Sequence, residues 1–231
     1  MKVAVINFSG NVGKSTVARH LLSSRLNNAP IIPVETINSD GSSDEAIKGK
    51  QFGELLEALA VLDEAVIDVG ASNVEDFINL MKQYKGSHEE FDYFVVPTVS
   101  DTKQMRDTIS TIDALADIGV SPKKIRMVFN RVDFNDQPEK LFNGLFDYHK
   151  AAQTFTLKRE AVIRENDIYG KLRGDNNSIP KIIADETDYK AMIKQTAEQS
   201  EKIKFAQMVA LKRLASGASE ELDVVFKTLF T

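Results

Sequence analysis

Val3-Ala4-Val5-Ile6-Asn7-Phe8 runs directly into Ser9-Gly10-Asn11-Val12-Gly13-Lys14-Ser15-Thr16. The first segment is short, apolar and partly β-branched, which reads as a strand. The second holds two glycines and ends in Lys-Ser-Thr, and residues 15–22 then read as a helix. A strand that passes through a glycine-containing loop into a helix aims several backbone N–H groups at one point. The partial charge at the helix start adds to them, so such a loop holds a polyphosphate. Ser9 to Thr16 are therefore read as a nucleotide-binding loop. Gly10 and Gly13 permit a tight turn, Lys14 reaches the β- and γ-phosphates, Ser15 ligates Mg²⁺, and Thr16 contacts the α-phosphate.

Outward from this junction the pattern alternates. Ile31–Glu35, Ala65–Asp68, Tyr93–Pro97, Ile125–Asn130 and Gln153–Leu157 read as further strands. Phe52–Leu62, Val74–Met81, Met105–Ile118 and Pro138–Tyr148 read as the helices between them. Strands separated by helices pair in parallel through helical crossovers. Nearly all-apolar strands mean that both faces of the sheet are covered. Beyond about residue 158 the chain turns polar. Tyr189–Leu214 reads as one long helix broken at Ser216-Gly217, with Ser219-Glu220-Glu221 capping a last helix that ends near Phe230. The expected fold is α/β: a mostly parallel sheet with helices on both faces and C-terminal helices. One domain is expected over 1–231, with 186–231 a helical extension packed on it.

Bulk composition narrows the function. The chain has 231 residues, 42% hydrophobic and 27% charged, which suits an ordinary soluble globular protein with an ample core. It has no cysteine, so neither a disulfide nor a thiolate metal site is open to it, and its three histidines are scattered. No apolar run approaches the roughly 18 to 20 residues of a membrane span, and the N-terminal apolar run is too short for a secretion signal. A cytoplasmic location is expected. The net charge of −5 does not indicate direct DNA binding, which needs clustered cations. Lys202, Lys204, Lys212 and Arg213 read either as a local basic patch or as the solvated face of a helix. The tail Glu220–Thr231 is amphipathic but acidic, so anionic lipid would repel it; packing on the domain or on a second copy is expected.

The strict motif Gly-x-x-x-x-Gly-Lys-[Ser/Thr] fails here, because Phe8 stands at its first position. The loop instead resembles the deviant Walker A loop, Lys-Gly-Gly-x-Gly-Lys-[Thr/Ser]-[Thr/Ser], of the ParA/MinD family of ATPases, and the resemblance spans roughly residues 1–185. Two residues depart from it: Ser9 replaces the signature lysine and Asn11 the second glycine. In that family the lysine crosses a dimer interface to the partner's nucleotide, so a nucleotide-dependent homodimer of this chain would lose one charge-assisted contact. Within the family, Met1–Thr16 together with Val34-Glu35-Thr36-Ile37-Asn38-Ser39-Asp40-Gly41 looks most like the StbB/TraL-type proteins of conjugative plasmids. That implies a role in plasmid stability or conjugal transfer.

The resemblance assigns roles to further residues. Val66-Ile67-Asp68-Val69-Gly70-Ala71 resembles a Walker B strand leading into a switch segment, with Asp68 binding Mg²⁺ through water; the alternative is an Asp that caps the next helix. Asp40 or Glu35 would orient the attacking water or ligate the metal, unless Asp40 or Ser43 simply caps a helix. Lys14, Asp40 and Asp68 thus form the expected catalytic set. Asn130-Arg131-Val132-Asp133 closes the fifth strand. Asn130 and Arg131 would contact adenine as in the family, or the segment would read guanine as Asn-Lys-x-Asp does in G-proteins, or it is a plain turn. Val162 or Ile163 would pack on the base edge. Pro97-Thr98-Val99-Ser100-Asp101 reads as a structural turn.

Three functions follow. The first is an ATP-driven switch, weakly hydrolytic, that acts through a partner protein linking it to plasmid DNA. The second is a phosphate-activating ligase of dethiobiotin-synthase type, for which no second Lys/Thr/Asp cluster is found. The third is a module that senses nucleotide with little or no hydrolysis, a reading that the residues at 9 and 11 sustain. GTP in place of ATP is an alternative within the same fold.

Overall fold

The structure, a computed structural model, describes residues 1–34, 45–172 and 177–231, and of residues 45–49 the backbone alone. Six strands form one sheet: β1 (Lys2–Val5), β2 (Ile31–Pro33), β3 (Ala65–Asp68), β4 (Tyr93–Thr98), β5 (Ile125–Val132) and β6 (Val162–Arg164). Their order is β2-β3-β1-β4-β5-β6, and every pair is parallel. The helices are α1 (Lys14–Thr16), continued by a π-helical stretch Val17–Leu22, then α2 (Glu45–Val61), α3 (Val74–Gln83), α4 (Thr102–Asp117), α5 (Pro138–Leu141) and α6 (Asn143–Ala152). Four more follow: α7 (Asp167–Lys171), α8 (Ile179–Ala184), α9 (Tyr189–Gln195) and α10 (Gln199–Phe230).

The chain divides into two compact units, Met1–Glu165 with Val225–Thr231, and Asn166–Val224. In the first, consecutive residues Val3, Ala4, Val5 and Ile6 are all fully buried. Alternate side chains of a strand point to opposite faces, so both faces of β1 are covered. On one face Ala4, Ile6, Ile67, Phe94 and Val96 join the core of α2 and α3. A run of tilted and edge-on aromatic pairs, Phe52–Phe77–Phe91–Phe94, has centroids 5.1–6.0 Å apart, a geometry favoured by the ring quadrupoles. The segment Val17–Leu22 packs against β3, and Val17, Ala18, Leu21 and Leu22 are buried. In the second unit, Asp185 accepts from Thr187 N, Thr187 Oγ1 and the Tyr189 hydroxyl. These bonds, the side-chain ones first, lower its pKa to about 2.

Several elements depart from expectation: α2 begins at Glu45, seven residues before Phe52, and Pro138–Tyr148 is split between α5 and α6. Gln153–Leu157 is not a strand: only Thr156 bridges to Arg126, and the sixth strand is Val162–Arg164. Phe155 is apolar because it packs beside Tyr148 and His149, not because it sits in a ladder. Val162 and Ile163 are buried within β6 and do not line a loop. The long helix from Tyr189 is interrupted at 196–198, and α10 then runs unbroken through Ser216-Gly217. Buried Ala215, Ala218, Leu222, Val225 and Leu229 recur every three or four residues across that point. Burial of such a stripe outweighs the ~1 kcal/mol helix penalty of a single glycine. Finally, α4 begins three residues before Met105, because Asp101 accepts from Lys103 N (2.9 Å) and Gln104 N (3.4 Å) and caps it.

Candidate functional site

The loop after β1 and the residues leading into it are held by three elements, β4, α4 and β5. The Ile6 N–H makes a last ladder bond to Val95 O at 3.0 Å. Beyond it the chain leaves the sheet, and side chains take over. Asn7 is fully buried; its amide donates to Pro97 O (2.9 Å) and to Thr108 Oγ1 (2.8 Å), while its Oδ1 accepts from Ser9 N (2.7 Å). Phe8 N donates to Thr111 Oγ1 at 3.0 Å. Thr108 Oγ1 donates to Gln104 O (2.7 Å) and lies 3.0 Å from the Thr98 hydroxyl. From β5, Asn130 donates its amide to Val12 O at 2.8 Å and is itself buried.

Backbone conformation explains the glycines and their replacement. Gly13 has φ +90°, and a Cβ there would lie 2.1 Å from Asn130 Nδ2, so only glycine fits. Asn11, at φ +60°, stands where the family has glycine. Asparagine is among the few L-residues that enter the left-handed region readily, so the turn survives the change. Gly10 has open space around it. Ser9, in the place of the signature lysine, is buried; its N–H goes to Asn7 and its carbonyl accepts from Lys14.

Lys14 is the electrostatic centre. It is buried, and its ammonium donates to Asn7 O (3.1 Å) and Ser9 O (2.7 Å). Burial lowers its pKa to about 8, against the opposing pull of the Asp68 carboxylate. Asp68 ends β3 in register with Val5 of β1, which carries it beside the loop. It does not cap α3, which starts after Asn73 with no side-chain cap. Ser15 is exposed in the first turn of α1, followed by half-buried Thr16. An ammonium, a hydroxyl and a carboxylate around one loop suit a polyphosphate with Mg²⁺; Ser15 and Asp68 are the residues that would hold the metal.

β5 ends in a turn at Asp133–Asp136, where Asp136 N donates to Asp133 O at 3.1 Å. Arg131 is exposed at φ +55°, where the pairing of β5 with β6 shifts register between Phe129 and Val132. Asp133 Oδ1 accepts from Asn135 N at 2.9 Å. Pro97 and Thr98 lie in β4 itself, and Asp101 is the α4 cap. Glu35 and Asp40, with the stretch 35–41, lie outside the described residues. Asn7, Thr98, Thr108 and Thr111 were not legible as site residues. Their two signals are a polar residue, Asn7, inside the apolar run 3–8, and threonines at i and i+3 of α4.

A parallel six-stranded sheet with this loop after its first strand defines a nucleotide-binding α/β class. The chain belongs to the CobQ/CobB/MinD/ParA nucleotide binding domain family, whose model matches residues 3–179. No curated protein sequence matches it. Among solved structures it is similar in fold to the MinD cell division protein of Aquifex aeolicus (11% identity, TM-score 0.53, 98% of this chain and 95% of that one). It is also similar to McdA of Cyanothece (14%, 0.51, 96% and 98%) and to the ParA of pNOB8 (11%, 0.51, 98% of each). At these identities the likeness concerns the fold. Among the described residues, no helix is long and apolar enough to cross a membrane.

Proposed function

We propose that this chain is an ATP-binding switch protein, weakly hydrolytic, acting in plasmid stability, partition or conjugative transfer through a partner protein that contacts plasmid DNA. The observation that carries the nucleotide reading is Lys14: a buried ammonium bridging two carbonyls of its own loop, with the Asp68 carboxylate opposing the burial that depresses it. Such a cation is poised to exchange carbonyl partners for phosphate oxygens. The loop amides orient the phosphates, and Asn130 holds Val12 so that the loop keeps its turn. Bound Mg²⁺ would neutralise charge on the β- and γ-phosphate oxygens. The plasmid role and the partner rest on the sequence resemblance to StbB/TraL-type proteins.

A second reading, nucleotide sensing with little hydrolysis, is favoured by one feature. The residue at the signature-lysine position, Ser9, is buried and uses its main chain within the loop. The test measures binding of ATP and GTP analogues together with mass by light scattering, with and without Mg²⁺. We expect ATP to be preferred and Lys14→Ala to lose binding by a hundred-fold or more. Equal affinity in Lys14→Ala and wild type would sink the switch. Tight binding with no phosphate release, even with the partner present, would select the sensing module.

A further inference from the structure

Two consecutive amides leave the sheet where β1 becomes the phosphate loop, and neither has a ladder partner. Phe8 N is taken by the Thr111 hydroxyl at 3.0 Å, and Ser9 N by Asn7 Oδ1 at 2.7 Å. Asn7 in turn is oriented by Thr108 and by Pro97 O. Both threonines come from α4 and both are fully buried. Each also donates to the carbonyl four residues earlier, Gln104 O and Asp107 O, at 2.7 Å. That bond fixes each hydroxyl so that a lone pair faces the loop. The two carbonyls that receive Lys14, those of Asn7 and Ser9, flank the amide that Thr111 grips.

From this geometry we propose that Thr111 and Thr108 are positioning residues for the bound nucleotide: α4 holds the segment Asn7-Phe8-Ser9 so that its carbonyls converge on Lys14. The proposal rests on the nucleotide-binding reading given above. Holding a cation and a backbone turn in place before the ligand arrives removes an ordering cost from binding. A purely structural role would satisfy two buried polar groups and leave the ligand indifferent to their loss.

The two roles separate in Thr111→Val, which keeps the shape and removes the hydroxyl. Affinity for Mg-ATP is expected to fall about ten-fold, while Thr111→Ser stays within about two-fold of wild type. Wild-type affinity in Thr111→Val, with only a lower melting temperature, would overturn the proposal. If that variant does not fold, Thr108→Val is read in the same way. Lys14→Ala separates the levels. Binding lost in Lys14→Ala but intact in Thr111→Val removes the positioning role alone; binding intact in both removes the nucleotide reading.

Discussion

Lys14 combines two properties that set how this site responds to pH. Its pKa of about 8 lies below the ordinary 10.5, with burial as the main cause. A polyphosphate favours the charged form, so binding takes up a proton once the free protein has lost it. Below pH 8 the lysine is charged in both states and this group imposes no pH dependence. Above it, affinity falls by up to ten-fold per unit, so ATP should bind about ten-fold more weakly at pH 9 than at pH 7. Isothermal titration at the two pH values checks this, and an unchanged constant would contradict the buried lysine. The sign for folding is opposite to that of a paired lysine. The folded state holds fewer protons than the unfolded one between pH 8 and 10.5, so this group's unfavourable contribution fades as pH rises through that window. Positions 11 and 13 invite a paired test. Gly13→Ala meets both a left-handed backbone and the Asn130 amide, and should cost at least about 2 kcal/mol and abolish binding. Asn11→Gly should stay within about 0.5 kcal/mol, because only the left-handed backbone is required there. Chemical denaturation of the two variants distinguishes them.

At the scale of elements, glycine meant different things in different places. Ser216-Gly217 has the composition of a helix stop, yet α10 passes through it. A Cβ at Gly217 would meet nothing within 4 Å. Gly217→Ala should therefore stabilise the protein by about 0.5–1 kcal/mol, seen as a higher denaturant midpoint. A destabilised variant would mean that the helix is broken there. The misplaced last strand has a similar origin. Gln153 ends α6 in the left-handed region, and Gln153–Leu157 then serves as connection. The short run Val162–Arg164 carries the ladder instead. Runs of three to five apolar residues look alike in sequence, whichever of them finds a partner edge.

For the molecule as a whole, the parallel order β2-β3-β1-β4-β5-β6 puts β1 and its loop in the middle of the sheet, with β3 on one side and β4 on the other. That placement gives the loop Asp68 from one neighbour and the Pro97 carbonyl from the other. The face built on Phe52, Phe77, Phe91 and Phe94 anchors α2 and α3 to this frame. Phe77→Ala empties its centre and should cost about 3–5 kcal/mol, measured by reversible denaturation. A loss under about 1 kcal/mol would mean that the aromatic run does not bear on stability.

Local sequence was enough to determine the class of fold, the glycine-containing loop between the first strand and helix, and the strand that ends in Asp68. Each is written in contiguous residues, through their periodicity or turn chemistry. Tertiary structure alone decided what surrounds that loop. Asn7, Thr98, Thr108, Thr111 and Asn130 come from β1 and its exit, β4, α4 and β5, far apart in sequence, and meet only because parallel strands bring their ends together. Burial there turns ordinary side chains into obligatory hydrogen-bond partners, a demand that no single stretch of the chain can show in advance.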